Sequence, residues 1–405
     1  MSYPKPWLPR FSPNNQDVYS SMFVVNGQRG GVLSGMRLAV KDLYDIVGHQ
    51  TLASQFSRRY ESLAKRNAVA VQRLLDQGVQ ITGHTVSTQL AFSGVGQNPD
   101  FGEPRALWSP DVEPRLAGGS TRGGALALAG GMADLALGTD TGGSCRIPAA
   151  CNGLYGIKDT ASSVSLEGCR QLSPSLDSVG LMAKRWSDLR LASDVLIGEP
   201  AEAGDSPRRF IIPEFSMREL DETVQWQFDW LVQEIIAAGH QVDVQLMDAE
   251  RALSSLRASP SIVSVEAYAS HRRGEMVGVT DPLVMTRVRA AAGASKASID
   301  MAYRLRTQII KEYTAQLQDA WVLMPTLPCM PPYLSEIDSP EGFDHWNQRL
   351  LRNPSFINIA DGCAISLPIS AAFPVSATIA SYAGNDAQLM AVGEQINQII
   401  FGQSA

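Results

Sequence analysis

Apolar residues recur along this chain in two alternating rhythms. From Asn67 to Gln77 they fall at Val71, Leu74 and Leu75, the spacing of one helix face, and Gly78 ends the run. Val79-Gln80-Ile81 then reads as a strand. The pairing returns further on. Gly123 to Gly131 predicts an alanine- and leucine-rich helix, and Met132 to Leu137 a buried strand that feeds a glycine loop. Thr223 to Ala238 is an amphipathic helix stopped by Gly239, with Gln241 to Leu246 as the next strand. Ala297 to Asp319 predicts a long helix, and Trp321 to Met324 a buried strand ended by Pro325. This alternation predicts an α/β layered fold. Gly198 to Arg209, with two prolines and several charges, is the best loop or linker candidate.

Composition acts mainly by exclusion. The 405 residues are 44% hydrophobic and 19% charged, enough apolar material for a large core. A net charge of −7 gives no reason to expect nucleic acid, and Arg208-Arg209 and Arg272-Arg273 read as solvated faces. Five scattered cysteines, with no Cys-x-x-Cys, predict reduced thiols and a cytoplasmic setting. Met1 to Asn15 is proline-rich and polar and reads as no signal peptide. The most apolar stretch, residues 123–138, is short, glycine-rich and interrupted by Asp134, so no membrane span is expected. His49, His84, His240, His271 and His345 fit no metal spacing, and none stands beside a candidate nucleophile as a Ser–His–Asp triad would need.

The candidate chemistry lies around two serines. Ser120 sits in Gly118-Gly119-Ser120-Thr121-Arg122-Gly123-Gly124. Ser144 sits 24 positions later in Gly138-Thr139-Asp140-Thr141-Gly142-Gly143-Ser144-Cys145-Arg146, and Lys41 lies upstream in Leu38-Ala39-Val40-Lys41-Asp42. A serine needs a base to become a nucleophile, and a desolvated lysine is neutral enough to serve as one. The apolar flank of Lys41 points to a buried stem and a lowered pKa. Glycines beside Ser144 let consecutive N–H groups converge where a tetrahedral oxyanion would sit. Each residue has a plainer reading: Ser144 as a helix cap, Ser120 as a turn residue, Lys41 as a solvated cation. The whole string favours chemistry over any of them. No Gly-x-Ser-x-Gly elbow surrounds Ser144, no Gly-Lys-Ser/Thr follows the first glycine cluster, and no dinucleotide fingerprint is present.

These motifs resemble the amidase signature family. The likeness extends through Gly83-His84-Thr85, Gly153-Leu154-Tyr155-Gly156-Ile157-Lys158, Ser175 to Gly180, Met324-Pro325-Thr326 and Asn358-Ile359-Ala360, leaving residues 1–30 and about 200–300 unplaced. The resemblance implies a three-layer α/β/α fold around a mixed twisted sheet, forming one domain over residues 31–405 after an extension over residues 1–30. It implies hydrolysis of a small-molecule carboxamide through a Ser–Ser–Lys triad: Ser144 as nucleophile, Ser120 as the bridging serine after a cis peptide, and Lys41 as base. The backbone N–H groups of Thr141, Gly142, Gly143 and Ser144 become the oxyanion hole. Arg146 and Asp177 match structural positions, with Asp140 or Asp177 as partner of the arginine. No metal or organic cofactor is implied, and a homodimer stays open. Phe92 to Asn98 and Phe101 to Arg105 loosely resemble compact members such as indoleacetamide hydrolases.

Five positions depart from the family pattern: Ala117, Arg122, Gly124, His84 and Gln89. Thr121 retains the hydroxyl of a usual serine and, with Arg122, is a candidate substrate contact. Arg122 either faces solvent on the first turn of a helix or lines the substrate mouth, where it would favour acidic amides. Two rival functions share this sequence: an amidotransferase subunit that releases ammonia from glutamine, and an inactive binding protein whose site Arg122 blocks.

Overall fold

The computed structural model describes residues 15–59, 61–110, 112–198, 209–271 and 279–402. The proline-rich start, most of the Gly198–Arg209 loop and the Arg272-Arg273 pair lie outside the described residues. One mixed sheet of 11 strands organises the molecule. In chain order the strands are β1 Tyr19–Asn26, β2 Arg37–Lys41, β3 Gln80–Thr85, β4 Leu135–Asp140, β5 Tyr155–Lys158, β6 Ser178–Ala183, β7 Arg209–Pro213, β8 Gln241–Gln245, β9 Trp321–Pro325, β10 Cys363–Pro368 and β11 Ser376–Ser381. In space they run β1-β3-β2-β4-β6-β5-β10-β11-β9-β7-β8. The β3-β2-β4 and β9-β7-β8 groups are parallel, and the strands between them pair antiparallel. The segment set apart in sequence as an extension contributes the edge strand β1, paired antiparallel with β3.

Period-two alternation assigns the two faces. Leu38 and Val40 of β2, Leu135 and Leu137 of β4, and Leu323 of β9 join one core cluster. Their neighbours Ala39, Ala136 and Val322 join clusters on the opposite face. Helices cover both sides. Val69–Asp76, Trp186–Ile197, Glu222–Ala237 and Asp386–Phe401 bury Leu74, Leu189, Leu231 and Leu389 in the first cluster. Arg122–Ala129 and Lys296–Gln316 bury Leu126 and Ile309 on the other. The fold is three-layer α/β/α around a mixed sheet.

Helix and strand limits follow local chemistry. Gly78, at φ +95°, ends the first amphipathic helix as its sequence predicts. Ser295 caps the long helix by accepting the Ser298 N–H at 3.1 Å. The strand expected at Met132–Leu137 instead starts at Leu135 and continues to Asp140. Asp134 is held out of the sheet by a two-pronged bond to Arg37, at 3.0 and 2.8 Å, and Gly138 carries the strand onward against β6. That three-residue shift delivers Thr139 and Asp140 to the functional site.

Candidate functional site

Lys41 is the last residue of β2, and its side chain is fully buried. Its Nζ donates to Ser120 Oγ at 2.8 Å and to Thr139 Oγ1 at 2.8 Å. Two hydroxyls are thus its hydrogen-bond partners, and no carboxylate is among them. Burial pushes its pKa down to about 8, against more distant negative groups that include Asp177 and Asp140. Apolar neighbours on the strand made the buried stem legible in sequence. Thr139 was not.

Ser120 follows a cis Gly119–Ser120 peptide and is fully buried. Its loop is packed backbone to backbone. A Cβ on Gly119 would lie 2.4 Å from Gly96 Cα, so a side chain there is excluded. The next residue ties the two serine segments together: the Thr121 N–H donates to the Ser144 carbonyl at 3.1 Å. Ser144 itself is 4% exposed and lines a cavity of about 340 Å³ with Thr141 and Gly142. Phe92, Leu172, Leu176, Val263, Leu351 and Ile359 give the cavity its apolar lining, and Ser264, Arg287 and Asn347 add polar groups. Lys41 and Ser120 do not line it.

The glycine loop before Ser144 folds around Asp140. The N–H groups of Gly143, Cys145 and Arg146 donate to its carboxylate at 2.9, 3.2 and 3.3 Å. The Arg146 guanidinium binds it bidentately at 3.1 and 2.9 Å, and Asn358 Nδ2 donates at 3.0 Å. Burial raises the Asp140 pKa, but the charge and hydrogen bonds of Arg146, with Asn358, outweigh it and hold the carboxyl well below its ordinary range. Of the two acids open as partner for Arg146, it is Asp140. Asp177 accepts the Thr141 hydroxyl at 2.5 Å and the N–H groups of Leu172 and Ser173 at 2.8 and 3.1 Å. Burial pushes its pKa up to about 6.

This arrangement revises the expected set of backbone donors. Gly143, at φ +126°, turns its N–H into Asp140, so that group is already taken. The N–H groups of Thr141, Gly142 and Ser144 have no hydrogen-bond partner among the described residues. Thr121 and Arg122, expected as substrate contacts, do not line the cavity. Thr121 is buried beside Cys145, at 3.8 Å. Arg122 is fully buried and faces neither solvent nor cleft; its Nη1 donates to the Gly96 carbonyl at 3.0 Å. The helix start it occupies points inward, toward the loop that backs Ser120. His84 is likewise buried, with Nε2 3.0 Å from the Tyr44 carbonyl oxygen. Gln89 ties the site to a later helix: its Oε1 accepts the Thr280 and Asp281 N–H groups at 2.9 and 3.0 Å, just before the helix Pro282–Arg289 that carries Arg287.

All five cysteines are free thiols. Among the described residues, no group of three or more His, Cys, Asp or Glu side chains is placed to hold a metal ion, and no helix is long and apolar enough to cross a membrane.

Comparison with known proteins identifies the family and the fold. The sequence profile of the Amidase family matches residues 19–390. A 2-amino-5-chloromuconic acid deaminase of Comamonas testosteroni is 32% identical over 384 residues, covering 91% of this chain and 79% of the relative. One subunit of the glutamyl-tRNA(Gln) amidotransferase of Sulfolobus acidocaldarius is 36% identical over 187 residues, 46% of this chain and 38% of the relative. A solved crystal structure of an amidase superposes with a TM-score of 0.80 at 26% identity, covering 91% of this chain and 86% of that one.

Proposed function

The chain belongs to the amidase family and is a hydrolase of C–N bonds; from that premise we propose that it cleaves a small-molecule carboxamide to a carboxylate and ammonia or an amine. The observation that carries the reading is the buried Lys41, whose hydrogen bonds end on two hydroxyls rather than on a carboxylate. A lysine so placed loses its proton near neutral pH and accepts one from a serine.

In this reading Ser144 Oγ attacks the carbonyl carbon as its proton passes to Ser120, whose own proton passes to neutral Lys41. The carbonyl oxygen becomes an oxyanion held by the free N–H groups of Thr141, Gly142 and Ser144. Collapse of the tetrahedral intermediate breaks the C–N bond, and the relay returns the proton to the departing nitrogen. Water then attacks the acyl-Ser144 ester, gives up its proton through the same relay, and releases the carboxylate. Asp140 and Asp177 hold the loop in shape and take no proton. The test is a fluorophosphonate probe followed by peptide mapping, with an amide panel read by ammonia release. Adduct on Ser144 and turnover of at least one amide are expected. An unlabelled Ser144 in folded protein sinks the reading.

A second reading is favoured by the likeness of 187 residues to an amidotransferase subunit. The same triad would then release ammonia from glutamine for a partner protein. Partner subunits recovered with the chain, and glutaminase activity that rises when they bind, distinguish it from a free-standing amidase. A cytoplasmic enzyme acting alone or as a homodimer fits the first reading.

A further inference from the structure

The cavity beside Ser144 adjoins a second hollow of about 720 Å³, and the two share Leu176, Ser261, Val263, Leu351, Ser355 and Ile359 as common wall. The candidate reaction centre therefore has a larger groove as its immediate neighbour. Most of the groove wall is apolar. Its charged groups are Arg257, Arg349, Arg352 and Glu219, and their balance is uneven.

Arg349 is neutralised: it pairs with Asp221 at 2.7 Å and also donates to the Glu219 carbonyl. Arg352 donates only to neutral oxygens, Asn353 Oδ1 at 3.2 Å and the Ser216 carbonyl at 3.4 Å. Arg257, at the exposed end of the helix Glu250–Arg257, has no hydrogen bond or ion pair with a described residue. The nearby Glu250 is bound to Arg218 at 2.9 Å. Glu219 is exposed, and Glu250 acts on Arg257 only at longer range while bound to Arg218, so neither Arg257 nor Arg352 has a carboxylate at hydrogen-bond distance. Burial and the charges of Arg349 and Arg257 lower the Arg352 pKa, while Cys329 and Glu219 oppose them. Two guanidiniums with no directly bonded anion keep donors for one, and a bound carboxylate offers them two planar acceptors.

We propose that this groove is a carboxylate subsite, and that the substrate is an amide bearing an acid group remote from its scissile bond, held by Arg257 and Arg352. The proposal rests on the amidase reading and names the substrate class of the same site. It assigns to the groove the charge recognition that the sequence suggested for Arg122. The apolar wall shared with the cavity would hold the spacer between the two polar ends.

The test separates the two readings by measuring binding without turnover. Calorimetry on Ser144→Ala protein compares two amides of equal length, one ending in a carboxylate and one in its primary amide. The acid partner is expected to bind at least about tenfold more tightly, with that preference weakening as salt is raised. Arg257→Ala in the same background lowers the acid-to-neutral affinity ratio by about tenfold, and Arg257→Glu reverses it. Arg352→Gln, judged on protein with an unchanged unfolding midpoint, lowers the ratio independently. Equal affinity for the two amides, or a ratio indifferent to both arginines, overturns the subsite. If the acid amide binds selectively yet wild-type protein hydrolyses no amide, the subsite stands and the amidase reading fails. If amides are hydrolysed without regard to charge, only the subsite falls.

Discussion

The two sides of the cleft are built in opposite ways. On the Ser144 side, residues 118–146 form a wall of backbone, with glycines packed at contact distance and the glycine-bound Asp140 and Arg146 paired with each other inside the protein. On the groove side, Arg257 ends one helix while Arg349 and Arg352 close another about 90 residues later, and neither Arg257 nor Arg352 has a carboxylate at hydrogen-bond distance. A wall of backbone fixes reacting atoms to a fraction of an ångström but leaves little room for substitution. A wall of long side chains reads a substrate and can be changed without disturbing the first. Chemistry and selectivity are therefore separable, and variants on the two sides should fail differently.

The largest effect belongs to the nucleophile. Ser144→Ala should lower kcat/KM by about 10⁴-fold or more while leaving the unfolding midpoint unchanged. Retention of more than about a tenth of the activity, a loss below ~1.4 kcal/mol, would mean that another group attacks the carbonyl.

Lys41 should show the next largest effect, with a distinct pH signature. Burial lowers its pKa to about 8, so the active neutral form grows as pH rises. On a neutral amide, kcat/KM should climb about tenfold per pH unit below that value and level off above it. Lys41→Arg keeps the positive charge but cannot take a proton, and should cost about 10²- to 10⁴-fold at every pH. A flat pH profile from 6 to 9, or an active arginine variant, removes Lys41 from the relay.

How much of this contrast the sequence revealed depended on how local each wall is. Lys41, Ser120 and Ser144 stand in short motifs whose glycines and apolar flanks state their own requirements, and the structure joins Lys41 to Ser120 directly. The amphipathic helices were legible to within two or three residues because their stripes must face the sheet. Thr139 escaped because the strand starts three residues later than its apolar pattern suggests, a shift set by the Arg37–Asp134 pair across 97 positions of chain. Gly143 was expected to donate outward, but the carboxylate three residues earlier captures its N–H. The groove was invisible for a stronger reason. Its arginines meet only after distant helices pack, and Arg257 falls in the stretch where no motif was recognisable.

The scaffold beneath the backbone wall offers a stability test. Arg146→Met removes the guanidinium that binds Asp140 on both oxygens and leaves a buried carboxylate with weaker compensation. Breaking a buried pair in this way costs roughly 3–5 kcal/mol, so the urea midpoint should fall clearly, and activity with it. Restoring neutrality with Asp140→Asn in the same protein should recover part of the stability. An unchanged midpoint in the single variant would show that the wall does not depend on the pair.

Arg122 supplies the smallest and most discriminating effect. Its guanidinium is buried with Nε and Nη2 unpartnered, and its Nη1 bond to Gly96 braces the loop that abuts Gly119. Burial pushes its pKa down to about 10, with the charge of Asp17 opposing. Methionine at this position fills a similar volume, loses one hydrogen bond and relieves two unsatisfied donors. Those terms oppose each other, so Arg122→Met should change stability by no more than about 1 kcal/mol. Loosening of the Gly96 loop should lower kcat/KM by about tenfold or less, and equally for acidic and neutral amides, because Arg122 does not line the cavity. Arg257→Ala should do the reverse, falling most on the acidic amide. A selective fall with Arg122→Met would place its charge in contact with substrate and erase the division between the wall that reacts and the wall that selects.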